Sequence, residues 1–204
     1  MRFDHFRRPR RARLLPRFLA NHRGTASIEL ALILPPALIM LGLIAMAGEG
    51  FDIERRTLLA ARTVTDLVSQ TPYTQNASVA GATALNLSDL ETDMALSAEI
   101  MWPNSTTSLQ VVVSELLVNP ANNTGVVVWS WPYPVGVATA LAPNSVVPLS
   151  PSVVATGATY LIYGQVQYTY QPLNIMISSS PITFNESDIL IPRNASQITI
   201  NWNQ

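Results

Sequence analysis

From Leu30 to Ala47 the chain reads LALILPPALIMLGLIAMA, eighteen residues without a charge. Wound as a helix they span roughly 27 Å at about 1.5 Å per residue, close to the roughly 30 Å hydrocarbon core of a bilayer. The apolar residues cover every face of that helix rather than one stripe, the pattern of a membrane span and not of a helix lying on a soluble core. The pattern then changes. Between Gly48 and Gln70, apolar Phe51, Leu58, Leu59, Val64, Leu67 and Val68 interleave with charged Asp52, Arg55, Arg56, Arg62 and Asp66 at spacings of three and four, as on an amphipathic helix. One helix from about Thr25 to Gln70 would reach roughly 69 Å, greasy in its first half and amphipathic in its second. Thr71-Pro72 ends it, because the residue before a proline is pushed out of the helical region.

Residues 74 to 100 hold a weaker helical pattern, with Ser88 as N-cap and Glu91 three residues on, a capping box. Beyond them Val, Thr, Tyr, Trp, Ser, Asn and Pro dominate. Leu109 to Val118, Gly125 to Trp131 and Thr159 to Tyr170 read as strands. In the last, Val166, Tyr168 and Tyr170 fall on one face and Gln165, Gln167 and Thr169 on the other. Ile182 to Phe184, Ile189 to Ile191 and Ile198 to Trp202 read as shorter strands. Trp131 to Pro151, with five prolines, reads as a long loop. The expected class is α+β: a long N-terminal transmembrane and amphipathic helix followed by a small antiparallel β-rich domain. The expected divisions are residues 1–24, a basic leader; 25–70, the long helix with its transmembrane part at 30–47; and 71–204, the β-rich domain.

Charge sets a direction on this plan. All 12 basic residues are Arg, and eight of them lie in the first 23 residues. From Thr25 onward four Arg stand against twelve acids, a net charge of −8. A basic head before an apolar span predicts a cytoplasmic N-terminus by the positive-inside rule, hence a single-pass inner-membrane protein with its C-terminal part exported. A leader facing anionic lipid accounts for the Arg cluster without nucleic acid as a partner. Two features of the span stand out. Glu29 directly precedes the apolar run, where an acid costs up to about 3 kcal/mol if drawn toward the bilayer centre. Pro35 and Pro36 fall inside it, remove two backbone donors and are expected to kink or loosen the helix.

The chain has no Cys and no Lys, and its two His, His5 and His22, are in the basic head. The part beyond the span therefore lacks the imidazole, thiol and amine from which nucleophile–base sets are built, and no Gly-rich phosphate loop occurs. The expectation is a protein that is not an enzyme, with no cofactor and no metal. Asp89, Glu91 and Asp93 alternate at a helix start and read as a solvated N-terminus in preference to a cation site. Trp102, Trp129, Trp131, Tyr133, Tyr160, Tyr163, Tyr168 and Tyr170 read as core or subunit contacts in preference to a sugar-binding surface.

The segment Arg23-Gly24-Thr25-Ala26-Ser27-Ile28-Glu29 resembles the cleavage site of prepilins and pseudopilins. That resemblance implies a cut between Gly24 and Thr25 by a prepilin peptidase, with Glu29 as the fifth mature residue. A secretory signal peptide fits less well: the apolar run is long, and only Ala45-Met46-Ala47 approaches a small-x-small site. The run RGTASIELALILPPALIML is similar to the N-termini of TadE-like and TadG-like minor pseudopilins of tight-adherence (Flp-type) pilus systems. Asp52 to Thr65 resembles the continuation of their helix, and Leu161 to Leu173 their late strand running into an aromatic-x-Pro-Leu turn. Ile191-Pro192-Arg193 is the nearest match to an Arg-Pro-Arg-like element near which many relatives end, though eleven residues follow it here. The family implies a pilin-like, non-enzymatic component of pilus biogenesis or secretion. Its partners would be the inner membrane, the prepilin peptidase, the major pilin and other pseudopilins, with Glu29 acting in assembly. The alternative is a membrane-anchored periplasmic binding or adhesion domain that is never processed.

Overall fold

The computed structural model describes residues 25–72, 81–172 and 180–202. The chain forms two compact units, Met1–Ala47 and Gly48–Gln204, and the first helix, α1 (Thr25–Ser69), supplies residues to both. In the first unit α1 runs on through Pro35 and Pro36. Its large side chains Leu30, Leu32, Ile33, Leu38, Met40, Leu41 and Ile44 are exposed. This helix is long and apolar enough to cross a membrane.

The second unit combines helices with an antiparallel sheet. In chain order it continues with β1 (Ala82–Asn86), α2 (Leu87–Met101), β2 (Leu109–Asn119), β3 (Thr124–Tyr133) and β4 (Val146–Pro148). After these come the single turn α3 (Pro151–Val154), β5 (Tyr160–Tyr170), β6 (Ile182–Leu190) and β7 (Gln197–Asn201). Five strands form one sheet in the order β4-β3-β2-β5-β6, every neighbouring pair antiparallel. β1 and β7 form a separate parallel pair, which the expectation of an all-antiparallel domain did not include. Parallel pairing needs a long crossover, and these are the first and last strands of the unit.

The rest of the sequence reading needs four local corrections. Residues 82–86, read as helical, form β1, because pairing with a distant strand outweighs a weak local preference. The chain passes from β1 into α2 without a loop, so Asn86, not Ser88, is the N-cap; it makes no side-chain cap bond, and its amide instead donates to Asp89 at 3.2 Å. The two short strands read at 182–184 and 189–191 are one. Asn185 to Asp188 pair with β5 in unbroken register, their polarity being that of a sheet edge. The long loop 131–151 contains β4 and the start of α3.

One face of the sheet carries the main core. The second half of α1 presents Ile53, Thr57, Ala60, Ala61, Val64, Thr65, Val68 and Ser69, all buried and spaced by three and four as one helical face requires. They pack with Leu90, Met94 and Met101 of α2 and with Val111, Val113, Ile162 and Val166 of the sheet. Small residues, Ala60, Ala61, Thr57, Thr65 and Ser69, make up most of this face, and Phe51 and Leu59, read as part of it, are 72% and 52% exposed. The buried hydroxyls cost little, since Thr57 and Thr65 donate to the carbonyls of Ile53 and Ala61 at 2.8 and 2.7 Å. A smaller core of Leu116, Val127, Leu149 and Leu161 lies apart from the first.

The small face has a cause at Gly164 of β5. A Cβ built there would collide with the Thr65 side chain and lie 3.4 Å from the Ala61 carbonyl. Helix and strand approach as closely as a bare backbone permits. Three ties then fix α1 along the unit. The Tyr170 hydroxyl donates to Glu49 at 2.6 Å. Arg56 pairs with Asp52 at 2.6 Å and donates to the carbonyls of Ile100 and Trp102 at 3.1 and 2.6 Å, where a cation suits the C-terminal end of α2. At the end of α1, the Arg193 amide donates to Ser69 O at 2.8 Å and Asn194 Nδ2 to Gln70 O at 2.7 Å, capping carbonyls that the helix leaves open.

Gly164→Ala is expected to destabilise the second unit by roughly 1–3 kcal/mol, the cost of overpacking a filled core. Because Thr65 is the side chain struck, Gly164→Ala with Thr65→Ala should cost less than the sum of the single changes. Urea unfolding of the detergent-solubilised protein, followed by tryptophan fluorescence, measures both. Strict additivity would show that the helix does not press on the sheet here.

Candidate assembly site

The processing and assembly residues read from sequence lie at the start of α1. Gly24 is outside the described residues. Thr25 is the first residue of the helix, and Glu29 follows four residues on, about one turn higher. Glu29 is exposed, flanked by Ile28 and Leu30, which are 71% and 62% exposed. A carboxylate thus stands in an apolar surface. Pro35 and Pro36 lie six and seven residues beyond it, nearly two turns, and leave the carbonyls of Ala31 and Leu32 without an amide four residues on. Exposed apolar side chains, one acid and two unmatched carbonyls make a surface whose needs are met by a partner helix or by lipid.

In the second unit the acidic trio at the start of α2 is dispersed. Asp89 accepts from Asn86, while Glu91 accepts from the Trp131 indole at 3.2 Å. Burial, and then the charge of Asp89, raise the Asp93 carboxyl above its ordinary value. Among the described residues no three His, Cys, Asp or Glu gather as a metal site would require. The aromatics do not form one surface either. Trp129, Tyr168 and Tyr170 are buried, Trp102 is exposed, and Trp131 packs against Trp202 with ring centroids 5.5 Å apart. On the sheet, Gln110, Gln167 and Asn185 stand abreast in adjacent strands, as do Val112, Gln165 and Ser187. With Leu141, Tyr163 and Glu186 they line an open groove of about 450 Å³ of mixed polar and apolar surface.

The residue that sequence reasoning missed is Glu115. It is fully buried in β2 and reaches the last strand. One oxygen accepts the Ile198 amide at 2.7 Å, the other the Gln197 amide side chain at 3.3 Å, and Trp129 Nε1 donates to Ile198 O at 2.7 Å. Burial pushes the Glu115 carboxyl up to about 7, against the lowering pull of Ile198, Gln197 and Trp129. A signal was present in the sequence: in VVVSELLV the acid occupies the same alternating face as Val111 and Val113.

No family model, no curated protein and no solved structure matches the chain.

The raised Glu115 value has a definite consequence. Unfolded, the group titrates near 4.5. The folded state therefore holds its proton more tightly, and this contribution is fully present below about pH 4.5 and lost as pH rises to about 7. The loss is on the order of 3 kcal/mol. Unfolding midpoints taken from pH 4 to 8 should fall more steeply for the wild type than for Glu115→Gln, which keeps an acceptor for Ile198. Parallel pH profiles would mean that Glu115 titrates in the folded state as it does in the unfolded chain.

Proposed function

We propose that this protein is a TadE/TadG-like minor pseudopilin, a non-enzymatic component of a tight-adherence pilus or a related secretion assembly, pilin-like in plan. It sits in the inner membrane with its N-terminus in the cytoplasm and residues beyond the span exported. A prepilin peptidase removes residues 1–24, and the mature chain assembles with the major pilin and other pseudopilins through α1. The observation that carries this reading is Glu29: a lone acid in an exposed apolar helix, on the fifth residue counted from Thr25, after a Gly and a basic leader. Cleavage would leave a new α-amino group on Thr25, one turn from Glu29. In a packed bundle the amine of one subunit pairs with Glu29 of the next, offsetting the cost of holding both charges near lipid. The Pro pair loosens the helix where it meets its neighbours. The groove on the sheet, lined by amides and apolar side chains, favours the second reading, an unprocessed anchored domain that binds a ligand with polar and apolar parts.

N-terminal sequencing after co-expression with the cognate prepilin peptidase separates the two. The chain should begin at Thr25, and Gly24→Val should block the cut by crowding the scissile bond. A protein still starting at Met1 would sink the pseudopilin reading and leave the anchored domain.

Glu29→Gln keeps size and hydrogen bonding while removing the charge. Membrane insertion and cleavage are expected to stay near normal, and partner pilins should be lost from the solubilised complex. Full recovery of partners would reduce Glu29 to an interfacial acid with no part in assembly.

A further inference from the structure

We propose that the end of the globular unit around Glu49 and Tyr170 rests in the headgroup layer of the membrane that holds α1, with Phe51, Trp102 and Ile182 as its lipid-facing side chains. The proposal rests on α1 spanning the bilayer. Chain length alone then keeps this end near the surface. Phe51 lies four residues past Ala47, at most about 14 Å of extended chain.

The ties to the first turns of the unit bring the other two residues to the same end. Glu49 accepts from Tyr170 at 2.6 Å, and Ile182 pairs directly with Tyr170 across the β5–β6 ladder, about one strand spacing of 4.8 Å away. Arg56 holds the Trp102 carbonyl at 2.6 Å, and the Tyr168 hydroxyl holds the Ser105 carbonyl at 2.9 Å. The 102–105 turn is thereby fixed to both α1 and β5. Phe51 and Trp102 are each 72% exposed and Ile182 48%. Three large apolar side chains exposed at the end of the unit nearest the span match the belt that Trp and other apolar anchors form at a bilayer interface.

The charges near this end are Glu49, Asp52, Glu54, Arg55 and Arg56 of α1 and Glu99 of α2, whose carbonyl accepts from the Trp102 amide. Two of these acids are engaged, Glu49 by Tyr170 and Asp52 by Arg56. The patch has no cationic excess to draw anionic lipid, so its occupant is the apolar side of the interface, with zwitterionic lipid sufficing. The opposite end of the sheet differs. There the exposed turn Pro120-Ala121-Asn122-Asn123 lies the length of β5 away, roughly 33 Å at about 3.3 Å per residue.

The absence of Cys makes a direct test possible in the full chain. Single variants Phe51→Cys, Trp102→Cys, Ile182→Cys, Leu43→Cys and Asn122→Cys would each carry a nitroxide in phosphatidylcholine nanodiscs. Collision with oxygen, which favours lipid, is compared with collision with a water-soluble nickel chelate. The oxygen-to-nickel ratio at 51, 102 and 182 should exceed that at 122 by at least about threefold, as for side chains sunk 5–10 Å into the interface, with Leu43 higher still. Ratios at 51, 102 and 182 equal to that at 122, with Leu43 immersed, would overturn the docking while keeping the span. Low collision with both reagents would mean that protein, not lipid, covers the patch, and would equally overturn it. A water-like Leu43 would remove the span and the docking together.

Discussion

The contact between Thr65 of α1 and the bare backbone of Gly164 in β5 sets the spacing on which the globular unit is built. With no Cβ on the strand, the helix settles against the sheet at short range, and the residues opposite the glycine must be small. Ala61 and Thr65 meet that condition, while Ile53, Val64 and Val68 fill the core elsewhere on the same face. A helix with a Leu-rich inner face would stand farther off, and the ties along its length would no longer reach. Tyr170 meets Glu49 near one end and Arg193 with Asn194 meets the last carbonyls at the other. These bonds are individually modest, and the Arg193–Asp66 ion pair is exposed and worth at most about 1 kcal/mol. Their role is to fix the helix along and around its axis while the close packing fixes its distance.

The second constraint is the capture of β7. A two-stranded parallel pair is too small to stand alone, so β1 and β7 depend on what the larger sheet offers them. It offers Glu115 and Trp129, which bond to the amide and the carbonyl of the same residue, Ile198. Both backbone groups of one residue are thereby satisfied by side chains, and its own side chain enters the core. An apolar residue in place of Glu115 would fill the space but leave a buried amide without an acceptor. Burying a carboxyl with a raised pKa is the cost of attaching a strand through side chains instead of through the sheet edge.

How far the sequence revealed this arrangement depends on the range of the interaction responsible. The unbroken apolar run at 30–47, the switch of period at Gly48 and the alternation of 165–170 are local signals, and they yield the long helix and the central strands. β1 was hidden because Ala82 to Asn86 carries little preference of its own and is made a strand by residues 197–201. The polar middle of β6 was hidden because an edge strand needs only its ladder, not an apolar face. The inner face of α1 was misjudged for the same kind of reason. Hydrophobicity pointed to Phe51 and Leu59, whereas fit against Gly164 selects Ala and Thr, and no one-dimensional pattern records that a glycine lies opposite. For the candidate assembly site, Glu29 and the proline pair were legible as anomalies in an apolar run. Glu115 was legible only through its phase in a strand.

One helix joins a stretch long and apolar enough to cross a membrane to a stretch packed on a sheet, and its composition divides where they meet. Before Ala47 the side chains are apolar on all sides, so nothing in the first half selects one face for packing; what distinguishes faces there is polarity, at Glu29, and missing donors, at Pro35 and Pro36. After Gly48 the helix has one packed face and one wet face, and the packed one is chosen by size. Gly48 and Gly50 flank Glu49 at the junction, and glycine is the weakest helix former apart from proline, by about 1 kcal/mol relative to Ala. Local propensity therefore does not hold the helix together at the point where the packed face begins. The hydrogen bond from Tyr170 to Glu49 does so from outside, borrowing the rigidity of β5. That strand is also the one that carries Gly164, so a single element sets how closely the second half of α1 packs and where its packed face begins.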